Sequence, residues 1–218
     1  RLERLSAAAI AAYDETAAAG LKAVTHARVP LAGAEASEIY AFRASDGGPE
    51  HLAILIGDEA GRPPAPPGPV LARLHSECFT GDLIGSLKCD CGEQLRGAIR
   101  AIAAGGGGVL LYLAQEGRGI GLINKLRAYQ LQDQGFDTIE ANERLGFDAD
   151  ERLFRPAATM LEILGFTRIR LLTNNPDKVA GLERHGIRIE ERVAHAFPAN
   201  PHNADYLNTK KTKAGHVL

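Results

Sequence analysis

The sequence lacks three features that would assign it at once to a broad class of protein. No apolar run approaches the roughly 18 residues of a membrane-spanning helix, and the first residues, followed by an Ala-rich stretch with acidic residues, form no secretory signal. The 25 Lys and Arg residues are balanced by 27 Asp and Glu residues, so the basic excess typical of nucleic-acid-binding proteins is missing. These absences predict a cytoplasmic protein that binds neither membranes nor nucleic acid.

Cysteine is scarce, and its distribution indicates a metal site. Cys78, Cys89 and Cys91 lie in one short segment, which is a poor framework for disulfides and a good set of metal ligands. Structural zinc sites close with four protein ligands, whereas catalytic sites keep an open position for water. Three thiolates therefore favour an open, catalytic zinc site, at which water would lose its proton near neutral pH. Two alternatives stay open: His75 as a fourth ligand, and three cysteines that are only small buried hydrophobic residues.

The first third of the chain has the pattern of a mainly antiparallel β portion. An Ala-rich helix that ends at a glycine is predicted over residues 5–20. Runs rich in β-forming residues predict strands over 23–30, 38–43, 51–57 and 70–75. Proline dominates residues 62–69, and because it fixes φ and has no N–H donor, this segment is predicted to be a loop.

From Gly92 onward the predicted strands and helices alternate. Helices are predicted over 93–104, 122–134 and 155–164, and short apolar strands over 109–113 and 168–173. Residues 174–178 combine a capping residue with a proline suited to a helix start. The expected fold is a mixed α+β or α/β architecture, with an N-terminal helix and antiparallel β segment over 1–69. Alternating strands and helices over 70–218 would then surround the zinc site, in one compact domain.

Two segments have the pattern of anion-binding loops. Residues 115–122 place glycines between a predicted strand and a predicted helix, which lets backbone amides approach an anion, and Arg118 adds a positive charge. Residues 173–178 occupy another junction of a strand and a helix, a common place for ligand contacts in α/β folds. Either pattern by itself is more often structural than functional.

Taken together and in this order, these segments resemble the GTP cyclohydrolase II family, which begins riboflavin synthesis. The resemblance covers about residues 70–218 and is carried by 73–82, 89–95, 115–122, 124–129, 131–135, 171–178 and 206–210, with Gly215 and His216. It implies that Cys78, Cys89 and Cys91 hold one zinc ion. It also implies a GTP site lined by Arg73, Leu74, His75, Ser76, Glu77, Gln94, Glu116, Gly117, Arg118, Thr138, Thr173 and Lys178.

The resemblance implies a reaction as well. Hydrolysis would open the imidazole ring of GTP and give a diamino-ribosylamino-pyrimidinone 5'-phosphate, formate and pyrophosphate. Zinc would act at the ring and Mg²⁺ at the phosphates, in an enzyme that commonly forms homodimers. Tyr129 would lie near the base, Asp150 would accept a proton, and Arg152 would be the nucleophile toward the α-phosphate. Because a guanidinium group is protonated at ordinary pH, we favour Arg152 as a group that stabilises charge on the phosphate.

The sequence departs from the family pattern at one position. Members usually carry Arg immediately before the Gln-Glu-Gly-Arg motif, and this chain has Ala114 there. The missing positive group leaves open an altered reaction that stops at the formamide or releases only pyrophosphate. A zinc-stabilised binding module without catalysis is a further alternative, against which the count of three ligands argues.

Overall fold

The computed structural model describes residues 20–44, 47–58, 60–65, 68–213 and 215, with residues 6, 9, 13, 17 and 18 described singly. Most of the helix predicted over 5–20 lies outside the described residues, as do two prolines of the loop predicted over 62–69. In the part of the chain that is described, no helix is long and apolar enough to cross a membrane.

One mixed sheet contains seven strands: β1 (Lys22–Arg28), β2 (Ser37–Arg43), β3 (His51–Ile56), β4 (Val70–Ser76), β5 (Gly108–Leu113), β6 (Arg168–Leu172) and β7 (Arg188–Val193). Their order across the sheet is β1-β2-β3-β5-β4-β6-β7. The pairs β1–β2, β2–β3 and β3–β5 are antiparallel, whereas β4–β5, β4–β6 and β6–β7 are parallel. The antiparallel N-terminal portion and the parallel pairing in the later portion are therefore confirmed, and β7 is an edge strand that was not predicted.

Six α-helices are formed by the described residues: α1 (Cys91–Ala104), α2 (Gly121–Gln132), α3 (Thr138–Arg144), α4 (Arg155–Ile163), α5 (Pro176–Glu183) and α6 (Ala204–Thr212). The helices predicted over 93–104, 122–134 and 155–164 are confirmed as α1, α2 and α4. The predicted start of α5 is also confirmed, because the Asn175 side chain caps the helix by accepting from the N–H of Asp177 at 2.8 Å. Helices α3 and α6 were not predicted.

The core lies on both faces of the central strands. β4 and β5 are buried along almost their whole length, as expected of strands covered on two sides. On one face Leu74 and Leu111 belong to a cluster with Met160 of α4, and on the other Leu110 belongs to a cluster with Ile102 of α1. Because β4, β5 and β6 run parallel, their carboxyl ends meet at one edge of the sheet, where α/β proteins bind ligands.

Candidate active site

An open cavity lies at the carboxyl ends of β4, β5 and β6. Of the predicted site residues it is lined by Arg73, His75, Ser76, Glu77, Cys78, Cys89, Cys91, Gln94, Glu116, Gly117, Arg118, Tyr129, Thr138, Arg152, Thr173 and Lys178. Its other lining residues, which were not predicted, are Lys88, Ile120, Lys125, Ala128, Gln132, Asn142, Asn174, Asn175, His195, Tyr206 and Lys210. The separate sequence motifs therefore meet around one cavity.

The three cysteines form a compact group at one end of this cavity. Cys78 follows β4, and Cys89 and Cys91 stand at the start of α1, so two elements bring the thiols together. The three sulfur atoms lie within 4.8 Å of one another, and Cys78 Sγ is 3.7 Å from Cys89 Sγ. A Cβ atom on Gly81 would lie 2.8 Å from Cys89 Sγ and 3.1 Å from Cys78 Sγ, so only glycine fits beneath the sulfur atoms.

This donor set fits a zinc ion. With Zn–S bonds of about 2.3 Å in a tetrahedral arrangement, two bound sulfur atoms stand about 3.8 Å apart. The measured separation of 3.7 Å between Cys78 Sγ and Cys89 Sγ is close to that value. His75 lies outside the group, because its Nε2 is 3.0 Å from both carboxylate oxygens of Asp82. Among the described residues, the three thiols are therefore the candidate ligands of a metal ion at this place. A tetrahedral zinc ion bound by three thiols has a fourth coordination position for a further ligand.

Asp82 holds the turn that carries Cys78, a role that was not predicted. Its carboxylate accepts hydrogen bonds from the backbone N–H of Cys78 and from the Tyr112 hydroxyl, each at 3.0 Å, and it also contacts His75. The His75 ring stacks on Tyr112, and burial lowers the pKa of this histidine. A neutral imidazole that donates from Nε2 to a carboxylate is a fixed structural element. His75 therefore holds the Asp82 carboxylate, and Asp82 holds the turn that carries Cys78.

Lys125 is the most informative residue that the sequence analysis missed. Its ammonium group donates to Cys78 Sγ at 3.0 Å, to Thr80 Oγ1 at 2.9 Å and to Glu116 Oε1 at 2.9 Å. Glu116 in turn accepts from the backbone N–H of Phe79 at 2.7 Å. The cysteine turn and the Gly-rich segment are thus joined through one buried ion pair.

Three of the cationic side chains around the cavity have no acidic partner within ion-pair distance in the described part of the chain. Arg73 donates to the Leu172 carbonyl at 2.9 Å and to the Gln94 side chain. Arg118 donates to the carbonyl of residue 149 at 3.2 Å, and Lys178 donates to the carbonyl of residue 74 at 2.7 Å. Neutral partners fix the position of a cation without cancelling its charge. These three residues, which we call the unpaired cations, are available to an anionic ligand.

Burial disfavours the protonated form of two of the unpaired cations. Arg73 is 5% exposed and Lys178 is 7% exposed. Burial lowers the pKa of Arg73 to about 10. Burial, together with the positive charges of Arg73 and Arg152, lowers the pKa of Lys178 well below its ordinary value. An anion in the cavity would stabilise the protonated form of each group.

The Gly-rich turn after β5 aims Arg118 by means of a left-handed backbone. Gly117 and Arg118 have φ values of 64° and 62°, a region that costs an ordinary residue about 1–2 kcal/mol. The turn is fixed from outside, because the N–H of Glu151 donates to the Arg118 carbonyl at 3.0 Å. A Cβ atom on Gly119 would lie 2.9 Å from Glu151 Cβ. Backbone strain of this kind is characteristic of residues that are held for ligand contact.

Arg152 lines the cavity while its predicted partner Asp150 does not. Arg152 Nε donates to Asp150 Oδ1 at 2.7 Å, and a second hydrogen bond joins the same two groups. Burial acts to lower the pKa of Arg152, but the hydrogen bonds to Asp150 outweigh it and the pKa is raised. Asp150 instead lines a second cavity with Asp177 and Arg184, in which Arg152 also takes part.

Tyr129 and Glu77 line the cavity, whereas Leu74 and Ala114 do not. The Tyr129 hydroxyl is 3.5 Å from Thr80 Oγ1, and burial raises the pKa of this tyrosine. Burial also raises the pKa of Glu77. Leu74 points into the core rather than the cavity, and its carbonyl is the acceptor for Lys178. Ala114 does not line the cavity, and its backbone N–H donates to His51 Nδ1 at 3.1 Å.

Helix α6 contributes a second unpredicted part of the site. Lys210 Nζ lies 2.8 Å from Asp90 Oδ1, and the side chains of Lys210 and Asp90 are only 8% and 1% exposed. Asp90 stands between Cys89 and Cys91, so this buried ion pair fixes the C-terminal helix to the cysteine turn. The Tyr-Leu-Asn-Thr-Lys sequence of residues 206–210 was the only signal that could have indicated it.

The fold and the cavity define a mixed α/β protein that places three thiols able to hold a metal ion beside three unpaired cations. Comparison with known proteins identifies the family of the chain. A model of the GTP cyclohydrolase II family matches residues 22–194. The chain belongs to the GTP cyclohydrolase II family, a family of hydrolytic enzymes.

Individual relatives agree with this assignment. A GTP cyclohydrolase-2 of Azospirillum brasilense is 62% identical over 209 residues, which are 96% of this chain and 53% of that protein. The riboflavin biosynthesis protein RibBA of Bacillus subtilis is 54% identical over 83% of this chain and 44% of its own length. A GTP cyclohydrolase-2 of Escherichia fergusonii is 52% identical over 91% of this chain and 97% of its own length. The chain therefore spans about half the length of the first two relatives and nearly all of the third.

Proposed function

We propose that this chain hydrolyses GTP in a zinc-dependent reaction and that it provides the first step of riboflavin synthesis. The reaction opens the imidazole ring and releases formate and pyrophosphate, leaving a diamino-ribosylamino-pyrimidinone 5'-phosphate. The observation that carries the proposal is the three-thiol group in the same cavity as the unpaired cations Arg73, Arg118 and Lys178. A nucleoside triphosphate presents a ring to hydrolyse and several negative charges to bind, and this cavity has a feature suited to each.

At the base end, the protein holds the ring next to the three-thiol group. Zinc bound by Cys78, Cys89 and Cys91 would supply Lewis-acid activation of water near neutral pH. Tyr129, whose pKa is raised by burial, keeps its proton and can donate a hydrogen bond to the ring. Glu77, which directly follows β4 and lines the cavity, would exchange protons with the substrate.

At the phosphate end, the unpaired cations bind the triphosphate, and Mg²⁺ would accompany it as part of the substrate. Arg152 is held by Asp150 through two hydrogen bonds, which favour the protonated guanidinium group. A protonated guanidinium has no free lone pair for nucleophilic attack. We therefore assign to Arg152 the stabilisation of charge during loss of pyrophosphate, and to Asp150 the orientation of Arg152.

The decisive experiment is to incubate the purified, zinc-loaded protein with GTP and Mg²⁺ and to determine the masses of the products. Formate, pyrophosphate and the pyrimidinone phosphate together are the expected result. An uncleaved formyl product, or GMP with pyrophosphate alone, would contradict the proposed reaction. Unchanged GTP at full zinc occupancy would contradict catalysis altogether.

Matched variants test the two ends of the site separately. Cys89→Ser should lower zinc affinity and abolish formate release, because one of the three thiolates is lost. Arg118→Ala should weaken GTP binding, whereas Arg127→Ala, which removes an exposed arginine outside the cavity, should not. Arg152→Lys should retain part of the activity if charge is what matters, and isolation of a guanylyl adduct on Arg152 would contradict our assignment.

A cytoplasmic homodimer is the proposed state of the protein, by analogy with the family. The balanced charge of the chain is consistent with this state. The molar mass in solution, measured by light scattering after size exclusion, tests the dimer, and a monomer at micromolar concentration would contradict it.

A further inference from the structure

Lys125 lines the cavity, yet its ammonium group is not free to bind a ligand. The residue lies on α2 and is 8% exposed. An ammonium group has three N–H donors. All three are used, toward Cys78 Sγ, Thr80 Oγ1 and Glu116 Oε1, at 3.0, 2.9 and 2.9 Å. Lys125 therefore differs from the unpaired cations, whose charge is available to the substrate.

We propose that Lys125 is a positioning residue of the metal centre, whose ammonium group withdraws electron density from the Cys78 thiolate and so makes the bound metal ion a stronger Lewis acid. The inference rests on the proposed zinc site and adds to it a residue that tunes the ion. Three thiolates donate more charge to a metal than three imidazoles would, which weakens the activation of water. A charged donor on one sulfur atom offsets part of that loss.

The geometry of Lys125 is imposed by its surroundings. Glu116 accepts from Lys125 and also from the backbone N–H groups of Phe79 and Gly117, at 2.7 and 2.8 Å. Its carboxylate is thus fixed by two backbone donors, and it holds the lysine in turn. The aliphatic stem of Lys125 packs against Gly117, where an added Cβ atom would lie 3.1 Å from Lys125 Cβ. The ammonium group is therefore pre-oriented toward the sulfur atom.

The interaction distinguishes one thiol from the other two. Of the three cysteine sulfur atoms, only that of Cys78 accepts a hydrogen bond from a charged side chain among the described residues. The Thr80 hydroxyl makes a second polar contact with the same sulfur atom, at 3.7 Å. Cys78 should accordingly be the weakest electron donor of the three ligands. An anchor that merely held the turn would need neither a positive charge nor contact with sulfur.

The test uses Co²⁺ in place of Zn²⁺, because sulfur-to-cobalt charge-transfer bands report the electron density on bound thiolates. The spectra of the cobalt-loaded wild type, Lys125→Met and Lys125→Gln are compared. Methionine removes the charge and the donors, whereas glutamine removes the charge and keeps one N–H donor. Lys22→Met removes an exposed lysine on β1 and serves as the matched control. Metal content and circular dichroism are recorded for each variant.

Loss of the ammonium group should move a charge-transfer band of Lys125→Met to longer wavelength, because the sulfur electrons become easier to remove. Lys125→Gln should move it less in the same direction, and Lys22→Met should not move it. If Lys125→Met does not fold, a band of Lys125→Gln at the wild-type position would by itself overturn the inference. Failure of the wild type to bind Co²⁺ or Zn²⁺ would instead contradict the proposed metal site. Metal binding with an unmoved band would contradict only the role of Lys125.

Discussion

The buried ion pair between Lys210 of α6 and Asp90 of the cysteine turn allows a quantitative prediction. Asp90 is 1% exposed, and Lys210 Nζ lies 2.8 Å from its Oδ1. Replacing Lys210 by Met leaves a buried carboxylate whose remaining side-chain partner is Gln94. Removing one member of a buried pair costs about 3–5 kcal/mol, because the other charge stays desolvated. Lys210→Met should therefore lower the free energy of unfolding by about 3 kcal/mol or more at pH 7.

The pH dependence of this loss follows from the pKa of Asp90. Burial raises that pKa, but Lys210 and Gln94 outweigh burial and lower it in the wild type. A carboxyl group with a lowered pKa contributes stability above its unfolded value, about 3.9, and this contribution is lost as the pH falls through the folded value. Without Lys210 the effect of burial dominates. The difference between wild type and Lys210→Met should therefore be largest near neutral pH and shrink below about pH 4.

Urea unfolding followed by circular dichroism measures the effect, with zinc held at one concentration because bound ions add to the apparent stability. The double variant Asp90→Asn/Lys210→Met removes both charges and should recover most of the loss. The reasoning would be refuted if Lys210→Met cost less than about 1 kcal/mol, well below the range for a buried pair. It would also be refuted if the double variant were no more stable than Lys210→Met.

Three further predictions concern the site itself. Gly81→Ala should weaken zinc binding roughly 10- to 100-fold in a chelator competition, because the added Cβ would lie 2.8 Å from a cysteine sulfur. The control Gly68→Ala should not weaken zinc binding, because Gly68 has open space around it. His195, whose pKa burial lowers to about 4, binds fewer protons folded than unfolded. The free energy of unfolding should therefore fall more steeply between pH 6.5 and pH 4 in the wild type than in His195→Gln, and parallel curves would contradict this. Lys178→Met should weaken binding of a non-hydrolysable GTP analogue about 10- to 100-fold, as measured by calorimetry. The same variant should raise the free energy of unfolding of the ligand-free protein by about 1 kcal/mol, because a buried charge is removed. A variant less stable than the wild type would contradict the stability prediction.

Most of the elements that the sequence predicted carry buried side chains, whereas β1, whose residues are all exposed, was predicted from its β-forming residues. The strand over 109–113 is an uninterrupted apolar run because β5 is covered on both faces. β7 and α6 escaped prediction because they are polar: β7 is an edge strand with mostly exposed side chains, and α6 has no apolar face. Helix α3 did carry a signal, since Asp137 and Glu140 form a capping box at its start.

The site was predicted where its chemistry is local in sequence and missed where it depends on tertiary contacts. Cysteine spacing alone indicated a metal group, and the structure brings the three thiols within 4.8 Å of one another. Lys125 and Cys78 are 47 residues apart, and Lys210 and Asp90 are 120 apart. Nothing in local composition relates such pairs, because the fold alone decides which charges meet.

The difference between paired and unpaired cations would explain how a chain with a net charge of −2 could bind the triphosphate of the proposed substrate. Lys125 and Lys210 are each neutralised by an acidic partner, so their charges stabilise the architecture of the cavity. The unpaired cations contact neutral groups, so their charges are left for the substrate. In the sequence the two kinds of residue are indistinguishable. Removal of a paired cation should reduce stability because it leaves a buried acid, whereas removal of an unpaired cation should reduce affinity because it takes away a charge that the ligand needs.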